Sequence, residues 1–177
     1  MSIRTKTSQI VKIINHINNQ VGIFISYLFL PITIIAVSEV FMRYVLNKPT
    51  LWAWDLNMQL FAPLIVLGGG YTLLHEGHVA VDFLIMRWSP TKKARLELFT
   101  YSIVFFSMIL ILYAGTKLGI RSMIRGETTG TIWDPPLWTI KMWVPIGILF
   151  LLLQVASKIL SNLLIVFPSK ASTKTGV

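Results

Sequence analysis

The sequence predicts an all-α integral membrane protein: four spanning helices, an N-terminal amphipathic helix lying at the membrane interface, and short interfacial helices in the connections. Four apolar stretches, Val21 to Met42, Leu56 to Leu74, Leu98 to Thr116 and Met142 to Phe167, take up about half of the chain. Each is close to the ~20 residues that a helix needs to cross a bilayer. The only charged side chains inside them are Glu39, near the end of the first, and Lys158, late in the fourth. Composition agrees: 54% of residues are hydrophobic and 13% charged, against about 25% charged in an ordinary soluble domain. Apolar surface on that scale needs the bilayer as its solvent.

The length of 177 residues holds these spans and short connections, which predicts one membrane domain over residues 1–177. Its parts are an interfacial helix over 1–20, spans over about 21–42, 56–74, 97–116 and 142–166, and a flexible tail over 167–177. The absence of cysteine excludes disulfides, thiolate metal sites and a cysteine nucleophile.

Arg4, Lys6 and Lys12 precede the first apolar run as in a secretory signal, but that run is too long for one. Phe41, Met42 and Arg43 stand where a small-residue cleavage site would follow. Ahead of it, Ile10, Ile13, Ile14, Ile17 and Val21 recur at helical spacing, with Lys12, Asn15, Asn18 and Asn19 between them. This pattern predicts the amphipathic helix, with its polar face toward the headgroups.

Orientation follows from basic residues. Both termini and the middle connection carry Arg4, Lys6, Lys12, Arg87, Lys92, Lys93, Arg95, Lys158, Lys170 and Lys174, and the other side carries Arg43, Lys48, Lys117, Arg121, Arg125 and Lys141. The imbalance predicts both termini in the cytoplasm. The net charge of +9 reads as anchoring to anionic phospholipid headgroups. Nucleic acid is not an expected partner, because no basic stripe interleaved with aromatics lies outside the spans.

Asn47-Lys48-Pro49-Thr50 reads as a turn, and Trp52 and Trp54 set the start of the second span at an interface. Asp55 falls in the first helical turn, where the helix dipole favours a carboxylate. Gly68-Gly69-Gly70 lets another backbone approach closely, which suits packing against a neighbour; a kinked helix without a partner is the plainer alternative. Ser89-Pro90 gives an N-cap followed by proline at the first helical position, so the third helix begins there. In the middle connection His75 and His78 can share a helix face, and with Asp82 could bind zinc weakly. No supporting shell accompanies them, so hydrogen bonding of the connection to helix ends is the favoured reading, and no cofactor is expected.

Glu39 and Arg43 stand four apart and can pair on one helix face. A structural ion pair is favoured over a proton or substrate site, although an ionisable residue in a span raises the functional question. From Arg121 to Lys141 the sequence reads as a long loop. Pro135 and Pro136 stiffen it, Trp133 and Trp138 hold it to the membrane, and it suits contact with another protein.

Taken in order, Arg43 after the first span, Trp54-Asp55 opening the second, His78-Val-x-Val-Asp82, Ser89-Pro90 and Pro145-x-Gly147 resemble the small permease subunit of tripartite ATP-independent periplasmic (TRAP) transporters, the DctQ-like family. The resemblance runs over nearly the whole chain. Family members usually carry Glu where Asp55 stands. Trp133-x-Pro-Pro-Leu-Trp138-x-Ile-Lys141 looks like the branch paired with transporters of keto acids and related organic anions.

The resemblance implies a non-enzymatic scaffold in the bacterial inner membrane, without substrate, metal or cofactor sites of its own. Its partners would be a large elevator-type subunit, which holds the substrate and sodium sites, and a periplasmic substrate-binding protein. Glu39, Arg43, Trp54, Asp55, Gly68, Gly69, Gly70, His78, Asp82, Pro135, Pro136 and Lys141 are then the expected structural or partner contacts, and Arg121 and Arg125 the candidates for periplasmic docking. A self-sufficient four-helix proton-coupled multidrug antiporter is the main alternative. Glu39 argues against it, lying near a span end with Arg43 ready to neutralise it. A membrane cytochrome is more distant.

Overall fold

The computed structural model describes residues 3–75 and 89–167. Among them no strand forms, and the helices are α1 (Ile3–Ser26), α2 (Phe29–Tyr44), α3 (Ala53–Leu74), α4 (Pro90–Arg125) and α5 (Leu137–Val166). By length and composition they make four membrane-crossing units, Thr7–Tyr44, Ala53–Leu74, Thr91–Arg125 and Leu137–Val166.

In the first unit the helix breaks later than the boundary expected near residue 21. α1 runs without a break past that point, and the helix is interrupted only at Tyr27 and Leu28. Pro31 explains the place. Its ring nitrogen has no hydrogen to give the Tyr27 carbonyl and crowds it, so the helical ladder loosens one turn earlier. The backbone there tightens to i→i+3 bonds, Leu28 to Ile25 at 3.0 Å and Leu30 to Tyr27 at 3.3 Å.

The face that α1 buries is also not the expected one. Ile10, Ile13 and Ile17 are 49%, 59% and 41% exposed, whereas Asn18 is 2% exposed. In lipid an isoleucine meets a surface as apolar as itself, while an amide must find a hydrogen-bonding partner inside the protein. The asparagine side therefore turns into the bundle.

α4 is longer than its apolar stretch. At about 1.5 Å per residue, its 36 residues exceed the ~30 Å hydrocarbon core. Backbone N–H groups of Lys92 and Lys93 bond the Ser89 carbonyl. Ser89 adopts the extended N-cap conformation ahead of Pro90, but its side chain makes no capping bond. At the other end Gly126 stops the helix in the left-handed conformation at φ 61°. The Glu127 N–H then reaches back to the Ser122 carbonyl at 3.1 Å, a helix-ending arrangement that favours glycine. The expected long loop from Arg121 to Lys141 is thus corrected to residues 126–136. Arg121 and Arg125 lie on α4, and Trp138 and Lys141 on α5. Lys117, Arg121 and Arg125 recur every four residues, so they form one row on a helix whose charged tips reach past the apolar zone.

α5 is the central element. It packs on α1, α3 and α4, and α2 lies against α3. Small residues permit the close approaches: a Cβ placed on Gly147 of α5 would stand 2.6 Å from the Val66 carbonyl oxygen of α3, and one on Gly119 of α4 would stand 2.6 Å from Met142 Sδ. Large apolar side chains, among them Phe24, Phe99, Phe106, Leu110 and Ile124, cover the outside.

Gly147→Ala should lower thermal stability in detergent, because backbone stands in the way of the new methyl; overpacking of this kind costs about 1–3 kcal/mol. Gly68→Ala, at a position with open space around it, should leave the melting temperature unchanged or raise it. Equal melting temperatures for wild type and Gly147→Ala would refute the close α3–α5 contact.

Candidate functional site

The charged and polar groups gather at the two ends of the bundle. At one end, that of connections 45–52 and 126–136, Arg43 lies against Glu39, with Nη2 at 2.7 Å and Nε at 3.1 Å from one carboxylate oxygen. The other oxygen accepts the Thr50 N–H at 3.1 Å and the Thr50 hydroxyl. Glu39 therefore clamps the connection after α2, in which Asn47 takes a positive φ of 52°, back onto its own helix.

Asp55 opens α3 and is 5% exposed. Its carboxylate accepts the Thr131 hydroxyl at 2.5 Å, which ties connection 126–136 to α3. Thr131 also accepts the Asp134 N–H at 3.2 Å, and Asp134 accepts the Gly130 N–H at 2.8 Å. Backbone bonds from Thr129 to Pro135 at 3.2 Å and from Leu137 to Glu127 at 2.9 Å close the connection on itself. Pro135 is buried inside it and Pro136 stands at the N-cap of α5. Gln59 of α3 accepts the Thr139 hydroxyl of α5 at 2.6 Å and donates to the Pro136 carbonyl at 3.3 Å.

Glu127 bonds Lys141 and lies 3.8 Å from Arg125. The bonded Lys141 ammonium holds its carboxyl below the ordinary 4.5. Trp54 beside Asp55 is exposed, as are Trp52 and Trp133. The row of Lys117, Arg121 and Arg125, with Tyr113, Ile120 and Ile124, lines an open groove of about 520 Å³ on α4.

The other end, that of the termini, contains a hydrogen-bonded core that the sequence reading missed. Gln154, 0% exposed, accepts from Asn18 Nδ2 at 2.9 Å and donates to Asn15 Oδ1 at 3.1 Å. Ser157 donates to the same Asn15 oxygen at 2.9 Å. Nearby, Asn162 donates to Glu97 at 3.0 Å, and Lys93 stands 3.8 Å from Glu97. Asn19 meets His75 Nε2 at 3.1 Å. A signal was present in the sequence: Gln154, Ser157, Lys158, Ser161 and Asn162 recur at three- and four-residue intervals, a polar stripe in an otherwise apolar span. The structure pairs Gln154 and Ser157 of that stripe with Asn15 and Asn18 of α1.

The glycine run divides in its use. Gly70 faces inward, and a Cβ there would stand 2.5 Å from the buried Asn18 Oδ1; Gly68 and Gly69 have nothing within 4 Å of that position. They continue an outward face of α3 through Met58, Phe61 and Ile65, all exposed. His78 and Asp82 lie outside the described residues. Among the described residues, no group of three or more His, Asp or Glu side chains could hold a metal ion.

The family model for the DctQ component of tripartite ATP-independent periplasmic transporters matches residues 32–164, from α2 to the last turn of α5. No curated protein is similar enough to the chain to stand as a relative.

The lowered Glu127 value makes the tie to Lys141 pH-dependent. A depressed carboxylate stabilises the fold above its unfolded value and loses that contribution as pH falls through the lower folded one. A nitroxide on Ile132→Cys, placed in a chain with no other cysteine, should therefore gain mobility as pH falls below 4.5. In a Lys141→Gln background it should be mobile already at neutral pH. A spectrum unchanged by acid and by Lys141→Gln would show that the tie does not order the connection.

Proposed function

The chain belongs to the family of DctQ components of tripartite ATP-independent periplasmic transporters, and from that premise we propose that it is the small scaffold subunit of such a transporter. It braces a large elevator-type subunit during sodium-coupled, binding-protein-dependent uptake of an organic acid anion. It sits in the bacterial inner membrane with both termini in the cytoplasm, so connections 45–52 and 126–136 are periplasmic. The organic-acid assignment rests on the segment from Trp133 to Lys141.

The outward face of α3 is the observation that carries this reading. Met58, Phe61 and Ile65 stand exposed on one side of the helix, followed by two glycines with open space above them. In lipid, apolar surface gives no drive to associate, and helices associate where small residues let backbones approach. This face therefore suits a helix of the large subunit. The engagement of both Glu39 oxygens by Arg43 and Thr50 supports a structural pair at this intramembrane carboxylate over an ion-carrying group.

The test is assembly. Gly68→Leu with Gly69→Leu should reduce recovery of the large subunit in mild detergent by roughly tenfold, equivalent to about 1.4 kcal/mol, while helix content by circular dichroism stays at the wild-type value. Undiminished co-purification would rule out this face, and a purified monomer that transports solute alone would rule out the brace.

The basic row on α4 supports a second contact, with the periplasmic binding protein. Surface charges mainly steer encounter, so Arg121→Glu with Arg125→Glu should slow uptake several-fold at low salt and leave assembly intact. The defect should shrink as ionic strength rises, since screening acts over roughly 8 Å at physiological salt. Normal uptake at low salt and limiting binding protein would place docking on the large subunit.

A further inference from the structure

The outward face of α4 is one continuous stripe. Phe99, Ile103, Phe106, Leu110 and Tyr113, all exposed, follow one another at three- and four-residue intervals, and Lys117 and Arg121 extend the same row. Its apolar part is built of bulky side chains. The glycines of this helix, Gly115 and Gly119, face α5 instead. Close packing of a second membrane helix needs small residues. This stripe therefore suits lipid tails, in contrast to the face of α3 that carries Gly68 and Gly69.

The depth of Lys117 follows from its neighbours. It lies between Gly115 and Gly119, which stand against Val144 and Met142 of α5. That level is roughly 10 Å inward from Leu137, where α5 begins, at about 1.5 Å per residue. Trp138 beside Leu137, with Trp52 and Trp54 at the start of α3, marks the headgroup level. The backbone of Lys117 is therefore rooted in hydrocarbon, and Arg121 stands one turn nearer the surface. A cation facing lipid at that depth needs an anion or a path to the headgroups. The Lys117 ammonium has the Tyr113 ring at 5.9 Å from its centre, and among the described residues neither Lys117 nor Arg121 makes an ion pair. Glu127, beyond the end of the helix, is engaged by Lys141 and lies 3.8 Å from Arg125.

We propose that Lys117 and Arg121 bind the phosphate of an anionic phospholipid in the leaflet at this end of the bundle. Residues four apart on one helix face stand about 5–6 Å apart at Cβ, a gap that one phosphate bridges. The guanidinium offers paired N–H groups to the phosphate oxygens, and the ammonium adds a point charge below it. Ile120 and Ile124 flank the open groove of about 520 Å³, and an acyl chain continues along Tyr113, Leu110 and Phe106. Two cations on one phosphate select an anionic headgroup over a zwitterionic one, whose own ammonium they repel. The apolar stripe selects a lipid over inorganic phosphate, which shares the same anion chemistry. The lipid takes the inner end of the basic row, whereas docking of a binding protein uses its outer end, at Arg125, with Arg121 between them. Lipid retention is read on the chain alone, so it survives or fails separately from docking and from the bracing role.

The full-length chain in detergent, mixed with phosphatidylglycerol, phosphatidylcholine or inorganic phosphate, can be examined by native mass spectrometry and thermal unfolding. Wild type should retain one phosphatidylglycerol and melt higher in its presence, with a much smaller response to phosphatidylcholine and to millimolar phosphate. Lys117→Gln with Arg121→Gln should weaken that retention by roughly tenfold, about 1.4 kcal/mol, at unchanged helix content. Lys12→Gln with Lys48→Gln, which removes the same charge elsewhere, should retain the lipid, as should Lys117→Arg. Equal loss in the two charge-matched Gln variants would overturn the site. So would equal retention of the two lipids by wild type, a comparison that holds even if the double variant fails to fold. Stabilisation by inorganic phosphate to the same extent as by phosphatidylglycerol would overturn the lipid as its occupant.

Discussion

The buried amide of Gln154 is the interaction on which the arrangement of this bundle turns. It lies on the most central helix with no exposure, and it joins α5 to α1 through Asn18 and Asn15. In water the apolar faces of two helices would hold them together. In lipid they do not, because the tails are as apolar as leucine. An unbonded amide in hydrocarbon is strongly unfavourable, so these side chains set which face of α1 points inward. That choice leaves Ile10, Ile13 and Ile17 exposed and brings Gly70 beneath Asn18.

The remaining contacts follow from that constraint. Where amides do not meet, helices approach through glycine, at Gly147 against Val66 and Gly119 against Met142. At the ends, where water competes and single ion pairs contribute little, the two connections are held by several separate ties. Glu39 engages Arg43 and Thr50, Asp55 engages Thr131, and Glu127 engages Lys141. Connection 126–136 is anchored to both α3 and α5, which leaves its geometry dependent on the spacing of those helices.

This distribution agrees with the supporting role proposed above. The outside is apolar, the buried amides of Gln154 and Asn18 bond each other, and among the described residues charged groups collect toward the two ends. An ion path would need ionisable or carbonyl groups facing a continuous aqueous route at the middle of the membrane. Here the intramembrane carboxylate Glu39 is engaged on both oxygens near its helix end.

Sequence alone determined the class, the number of spans and the places where α3 and α4 begin. Those depend on local properties: apolar run length, Ser89-Pro90 at the start of α4, Asp55 in a first turn. Tertiary structure decided the rotation of each helix about its own axis. Hydropathy reports how much apolar surface a segment carries but not which neighbour will meet its amides, so the bonds from the α1 asparagines to a residue of α5 more than 130 residues away were not legible. For the same reason three adjacent glycines looked alike, and only their azimuth separates inward Gly70 from outward Gly68 and Gly69. The length of α4 was hidden for a related reason: its last turns carry Lys117, Arg121 and Arg125, charged residues that end an apolar stretch but do not end a helix.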